Sequence, residues 1–223
     1  LQVFFRHRRP DGECPMRLEL FPTMAGIWTL SLGDSFDLLF SKELLQLHKD
    51  MKTGDEIWDR RSHDIFDGSV SSATRLAREA LPLLQRDFIG PKGRITSLQG
   101  REVVRTRGVE IMPHSDENEC HLQAVYFPNG PELDAGLSLQ SQVNQYGPNA
   151  FAICNPDWRS SGFGKCLMPW EQHAKYWIKP HRGLLVAFDA RAVHFQKPYT
   201  GDPLMDDPFV QVLLNIKVER IDG

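Results

Sequence analysis

No run of apolar residues in this chain reaches the length needed to span a bilayer. The beginning of the chain has no apolar core of the signal-peptide kind, although it does not begin with Met. The expectation is a soluble, cytoplasmic protein without membrane contact. Cysteine is sparse: Cys14, Cys120, Cys154 and Cys166 are scattered, with no C-x-x-C pair. That argues against a disulfide framework or a zinc ribbon and favours free thiols. A surplus of charge is missing too. A net charge of −3 over 223 residues draws the chain toward neither nucleic acid nor an anionic surface. The basic cluster Arg6-His-Arg-Arg9 is local and reads as a solvated face or terminal arm. Internal repeats and low-complexity segments are absent as well.

What is present is an ordinary globular composition, of a length that fits one domain over 1–223. Residues 1–30 alternate in places between Pro and Gly breaks, as short strands and turns do. From Ser35 to Met51 the apolar residues Phe36, Leu39, Phe40, Leu44 and Leu47 recur at helical spacing, and Gly54 follows as a stop. Ser71 to Phe88 repeats the signature, with Ser71 or Ser72 placed to cap and Pro82 placed to kink or split the helix. From Arg94 onward short strand-like runs alternate with turn residues: Glu102–Arg105, Val109–Pro113, His121–Phe127, Gly136–Gln142, Ala150–Cys154, Tyr176–Ile178, Leu184–Phe188 and Phe209–Val218. Such strands without intervening helices indicate a sandwich or closed barrel. The expected architecture is mainly β, with 94–223 as the barrel and the helices of 1–93 buttressing one sheet. The stretch Asn155–Gln172, rich in Gly, Ser and Trp, reads as a long loop, and such loops serve as lids or binding loops.

The chemistry concentrates at His114-Ser-Asp116, delivered by an apolar run and followed by a second one from Leu122 to Phe127. Residues two apart in an extended segment face the same way, so His114 and Asp116 can aim at one point. His194, beyond the run Leu184–Phe188, is the candidate third ligand. Two imidazoles and one carboxylate on one face suit non-heme Fe(II), with the opposite coordination positions left open. The alternative for His114 and Asp116 is a polar strand end whose members bond to each other. His121 competes for the metal, and with Cys120 it is read as a bystander or a support behind the ligands. The other histidines (His7, His48, His63, His173, His181) have no ligand context and read as surface or capping groups.

On these residues the chain resembles the Fe(II)/2-oxoglutarate-dependent oxygenases of the prolyl-hydroxylase-like type. One segment is His114-Ser-Asp116 with the run Leu122-Gln-Ala-Val-Tyr-Phe127 and Gly136-Leu-Ser-Leu139. The other is Pro180-His-Arg-Gly-Leu-Leu-Val-Ala-Phe188 with His194 and Pro198. The resemblance implies a double-stranded β-helix (jelly-roll) core in the C-terminal half. It further implies Fe(II) on His114, Asp116 and His194, and 2-oxoglutarate as cosubstrate. The family usually places an Arg or Lys on the strand after the distal histidine, against the far carboxylate of the keto acid. Here Gln211 stands about there, and a neutral amide is a weaker partner than a charged fork. The charge can come from Lys197, Lys217, Arg105 or Arg107, or the cosubstrate is not 2-oxoglutarate. Tyr126 is either a cosubstrate contact or a core tyrosine with its hydroxyl satisfied. Gln123 can lie on either face of its strand. Arg191 reads as a rim residue, and Trp158 and Arg159 as either substrate-closing or barrel-anchoring.

The activity implied is oxidation of a C–H bond, by hydroxylation, desaturation or ring closure, on a small molecule, and the oligomeric state is open. Three rivals stand beside it: an iron oxidase of the same fold that needs no 2-oxoglutarate, a demethylase or nucleic-acid dealkylase, and a non-catalytic jelly-roll binding module. The modest net charge argues against nucleic acid.

Overall fold

A computed structural model of the chain describes residues 3–5, 16–20, 23–50, 64–130, 149–154, 175–199 and 208–221. The elements in order are β1 (Val3–Phe5), β2 (Met16–Leu20), β3 (Thr23–Thr29), α1 (Asp34–Asp50) and α2 (Ala73–Leu84). They continue with β4 (Gly93–Arg105), β5 (Ile111–His114), β6 (Leu122–Phe127), β7 (Phe151–Cys154), β8 (Lys175–Ile178), β9 (Leu184–Asp189), β10 (His194–Gln196) and β11 (Phe209–Arg220). The strands form two antiparallel sheets. One runs β1-β2-β3-β9-β6-β11-β4 and the other β5-β10-β7-β8. Val125, Phe127, Val186 and Phe188 of the larger sheet share one buried core with Phe151, Ile153, Tyr176 and Ile178 of the smaller. The two sheets therefore pack face to face, which is the jelly-roll arrangement.

The other face of the larger sheet is buried as well, beneath the helices. Phe36, Phe40 and Leu44 of α1 and Leu76, Ala80 and Leu84 of α2 pack on the alternate residues of β6, β9 and β11. Strands covered on both faces need apolar side chains at every position, so Leu184–Phe188 is an unbroken apolar run. The helices do buttress one sheet, as expected, and they are tied to each other by a carboxylate. Glu43 of α1 accepts from the Ser71 hydroxyl (2.6 Å) and the Ser72 backbone N–H (3.0 Å). That bond replaces the serine cap expected from the sequence, because Ser72 stands at the N-cap with no side-chain capping bond to the helix. Pro82 does not split α2. The helix runs through it and then widens into a π-helical turn, Gln85–Ile89, which ends at Gly90 with φ 75°.

Two strands differ from expectation. β4 begins nine residues before Glu102, because it pairs with β11 along its whole length, from Gly93↔Arg220 to Arg105↔Phe209. Its first half is mostly polar, and its two apolar residues, Ile95 and Leu98, are half-buried against the helix-side core but stand three apart, off the period of two. β10 has three residues and was not visible as a run at all. The expected strand Gly136–Gln142 and the loop with Trp158 and Arg159 lie outside the described residues. Among the described residues no helix is long and apolar enough to cross a membrane.

Between α1 and the sheet lies a buried acid. Asp37 is 3% exposed and accepts a hydrogen bond from the Tyr126 hydroxyl. Burial raises its carboxyl from 3.8 to about 6, against the opposing pull of Tyr126 and Arg182. The folded protein therefore holds this proton up to about pH 6, while the unfolded chain releases it near 3.8. Between those values the native state binds more protons, so stability falls as pH rises, by up to ~3 kcal/mol, and is level above the window. Asp37→Asn is expected to remove that slope. In urea unfolding the variant gains stability over the parent as pH goes from 4 to 7. A variant less stable than the parent at pH 7 would instead make the carboxylate a required partner of Arg182.

Candidate metal centre and its cleft

Antiparallel pairing brings the two distant histidines together. β10 lies between β5 and β7, in a register that sets His194 directly opposite His114, with a bulge before Gln196. β5 is an edge strand, which is where Pro113 is tolerated within a ladder. Asp116 lies two residues past the end of β5 in a turn. Its backbone N–H donates to Ala190 O (3.0 Å), and its carbonyl accepts from the N–H groups of Glu119 (2.9 Å) and Cys120 (3.1 Å). One ligand-type atom from each of His114, Asp116 and His194 lies within 4.8 Å of the others. The Asp116 Oδ2 stands 3.4 Å from His194 Nε2 and 3.8 Å from His114 Nε2.

The second nitrogen of each ring is already committed. His114 Nδ1 faces Met112 O at 2.7 Å, and His194 Nδ1 faces Ala192 O at 3.1 Å. A carbonyl can only accept, so Nδ1 carries the proton and the Nε2 lone pairs converge beside the carboxylate. Burial, and then the neighbouring His114, holds the His194 imidazole in its neutral form well below the usual range. Asp116 is anchored from the barrel side by a relay. Gln123 Nε2 donates to Asp116 Oδ2 and to Asn215 Oδ1, and Asn215 Nδ2 donates to Glu119 Oε2 (3.2 Å). His114 is half-buried, while His194 and Asp116 are buried, so the group is most open at His114. His121 is exposed and accepts from the Val218 N–H through Nδ1, away from this group. Cys120 is buried, and burial with the nearby Asp116 pushes its thiol up to about 11.

The open side leads into a cleft of about 230 Å³ between β4 and β5, the end strands of the two sheets among the described residues, lined by His114, His194 and residues of β4, β5 and β11. Arg105 and Gln211 both line it. They stand on the inward faces of β4 and β11, with Val103 and with Phe209 and Leu213 of the inner core. Arg105 is 1% exposed. Its Nη2 donates to Val109 O (2.7 Å) and to Lys197 O. Its Nε and Nη1, and the Oε1 of Gln211, are buried without a hydrogen-bond partner among the described residues. Burial lowers the guanidinium to about 10, with Glu110 opposing, so it stays charged at neutral pH.

Two of the four residues expected at the cosubstrate are elsewhere. Tyr126 points to the helix side of β6, where α1 supplies Asp37 for its hydroxyl, because even and odd positions of the strand face opposite ways. Lys197 lies on the outer face of the smaller sheet with its ammonium 5.2 Å from the Trp177 ring, and only its backbone carbonyl meets Arg105. Lys217 and Arg107 are exposed. Arg191 is on the rim, forked onto Asp189. His181 is a further correction: it is 3% exposed and bonded to the Thr29 hydroxyl (3.1 Å), in place of a surface role. Sequence reasoning left the face of Gln123 undecided and overlooked Asn215 and Arg101. Gln123 and Asn215 are each a polar residue between apolar neighbours on a strand, whereas Arg101, between Gly100 and Glu102, carries no such signal.

No protein-family model and no curated protein matches the sequence. Solved structures match the fold. A prolyl-4-hydroxylase from Pseudomonas putida superposes with a TM-score of 0.52, at 11% identity, over 89% of this chain and 88% of that one. SnoN, a non-heme alpha-ketoglutarate-dependent epimerase from nogalamycin biosynthesis, gives 0.55 at 12% identity, over 89% and 81%. HygX from Streptomyces hygroscopicus, solved with nickel and 2-oxoglutarate bound, gives 0.52 at 11% identity, over 86% and 82%. The likeness at these identities is one of fold. The chain has the jelly-roll fold of the Fe(II)/2-oxoglutarate-dependent oxygenases, and a His-Asp-His group stands within it.

Proposed function

We propose that this chain is a non-heme Fe(II)- and 2-oxoglutarate-dependent oxygenase that oxidises a C–H bond of a small molecule. The observation that carries the reading is the convergence of two Nε2 lone pairs and one carboxylate oxygen, with each Nδ1 held by a backbone carbonyl. Two neutral imidazoles and a carboxylate fit a divalent iron and leave positions for other ligands. His114, Asp116 and His194 would hold it, and when bound with its keto acid it supplies the oxygen activation and C–H oxidation. The protein's own part is orientation. Ala192 and Met112 carbonyls fix the two rings, and Gln123 fixes the carboxylate. The unmatched N–H groups of Arg105 fit the far carboxylate of 2-oxoglutarate, the charge that β11 withholds at Gln211. Val103, Val109, Ile111 and Leu213 make the cleft wall apolar, which favours a small substrate of mixed polarity and excludes water. The fold supports several outcomes, since one neighbour is described as a hydroxylase and another as an epimerase.

The test is an anaerobic titration of Fe(II)-loaded protein with 2-oxoglutarate, followed through the visible charge-transfer band of the chelated keto acid. A saturable band is the expected result. Gln211 favours one alternative, an iron oxidase of this fold that uses no 2-oxoglutarate, and iron binding without the band would select it. No iron binding at all would leave a jelly-roll binding module.

A further inference from the structure

A second arginine lies in the same cleft and has no part in the reading above. Arg101 shares the inward face of β4 with Val103 and Arg105, and it lines the cleft with His114 and His194. Four residues of strand separate the two arginines, about 13 Å at the backbone. Arg105 is level with Phe209, at the start of β11, and Arg101 is level with Leu213, next to Asn215 and the relay that holds Asp116. A five-carbon dicarboxylate chelated at the metal group and reaching Arg105 does not also occupy Arg101.

The guanidinium is incompletely matched where it stands. Its side chain is 18% exposed, and its Nη2 lies 3.9 Å from Glu119 Oε2, beyond hydrogen-bond reach. That carboxylate oxygen already accepts from Asn215. The Nε of Arg101 is buried and has no acceptor among the described residues. A buried N–H without an acceptor is costly, and a charged one more so. The other acids that line the cleft lie elsewhere. Glu102 is on the opposite face of β4, 3.7 Å from His48, and the charge of Glu110 acts on Arg105.

We infer that Arg101 receives an oxyanion, carboxylate or phosphate, on the primary substrate and holds it in the cleft that it lines with His114 and His194. This rests on the oxygenase reading for the word substrate, and on the cleft alone for the anion. A planar fork with an unfilled N–H suits such groups, and an apolar wall on the same cleft takes the remainder of the molecule.

The experiment uses nickel- and 2-oxoglutarate-loaded protein, in which Arg105 is engaged, and calorimetric titration with benzoate, phenylacetate and phenyl phosphate. Each anion is compared with a neutral partner, the corresponding amide or phenol. At least one anion is expected to bind roughly tenfold or more tightly than its partner, about the effect of one charge-assisted hydrogen bond. Arg101→Gln is expected to erase that preference and Arg101→Lys to retain only part of it, because an ammonium keeps the charge without the fork, with the affinity for 2-oxoglutarate unchanged in both. The inference is overturned if no anion outbinds its neutral partner, or if the preference survives in Arg101→Gln. It is equally overturned if Arg101→Gln weakens 2-oxoglutarate, because Arg101 then serves the cosubstrate. Repeating the titration on metal-free Arg105→Gln protein separates the two readings. An Arg101-dependent anion preference there keeps the anion site without metal or keto acid, whereas the oxygenase reading fails separately, if the unsubstituted protein binds no iron.

Discussion

His194→Ala is expected to abolish the keto-acid band and to weaken Fe(II) binding by more than ~100-fold. Removing even the partners behind metal ligands costs about 10–100-fold, and His194 is proposed as a ligand itself. The ring is also a packing element, its centroid 4.7 Å from that of Phe188 and 5.8 Å from that of Phe151. Its loss leaves a small buried cavity and a stability decrease of about 1–3 kcal/mol. Thermal unfolding of the metal-free variant measures that cost separately from binding. Metal affinity unchanged within a few-fold, in a folded variant, would place the metal elsewhere. His121→Ala is the matched control, since that ring is exposed and bonded to the Val218 N–H. It is expected to leave iron affinity unaltered.

Arg105→Gln is expected to weaken 2-oxoglutarate by roughly 30- to 3,000-fold while leaving Fe(II) affinity intact. Truncating one partner of a buried, hydrogen-bonded charge pair costs about 2–5 kcal/mol, and each 1.4 kcal/mol is a factor of ten. The expectation is specific because the other bases that the sequence offered for the cosubstrate do not line the cleft. Lys197 lies beside Trp177 on the outer face, and Lys217 and Arg107 are exposed. Arg105→Lys is expected to recover only part of the affinity, because an ammonium cannot reproduce the planar fork. Arg105 also braces the chain by donating to Val109 O and Lys197 O. A general destabilisation would therefore lower iron and keto-acid binding together, whereas the loss of a carboxylate partner moves the keto acid alone. Equal losses of both ligands would count against the assignment.

Much of the fold was legible in the chain because burial leaves periodic marks. The helices over 34–50 and 73–84 carry apolar stripes, and the inner strands Leu122–Phe127 and Leu184–Asp189 are apolar at nearly every position. The pair His114 and Asp116 was legible as well, since two residues apart is a local relation. What lay outside local pattern was less so. The first half of β4 sets Ile95 and Leu98 three apart among polar residues, off the strand period, and it is a strand through its pairing with β11. Three-residue β10 is a strand because β5 and β7 flank it, and that pairing is what sets His194 opposite His114.

The side-chain directions were decided by tertiary structure alone. Alternation says that Gln123 and Tyr126 face opposite ways, and it does not say which one faces the barrel. α1 settles this by covering one face of β6 and offering Asp37 to the tyrosine, which leaves Gln123 to hold Asp116. For the same reason a missing base on β11 says nothing about the neighbouring strand. Arg105 reaches the cleft from β4, 106 positions ahead of Gln211 in the chain and one strand away in the sheet. The sequence by itself determined the layers, the helices and the three metal-type side chains, because these depend on residue type and short spacing. Only the tertiary structure decided which buried charges meet in the cleft, because strand order and sheet face are relations between residues far apart in the chain.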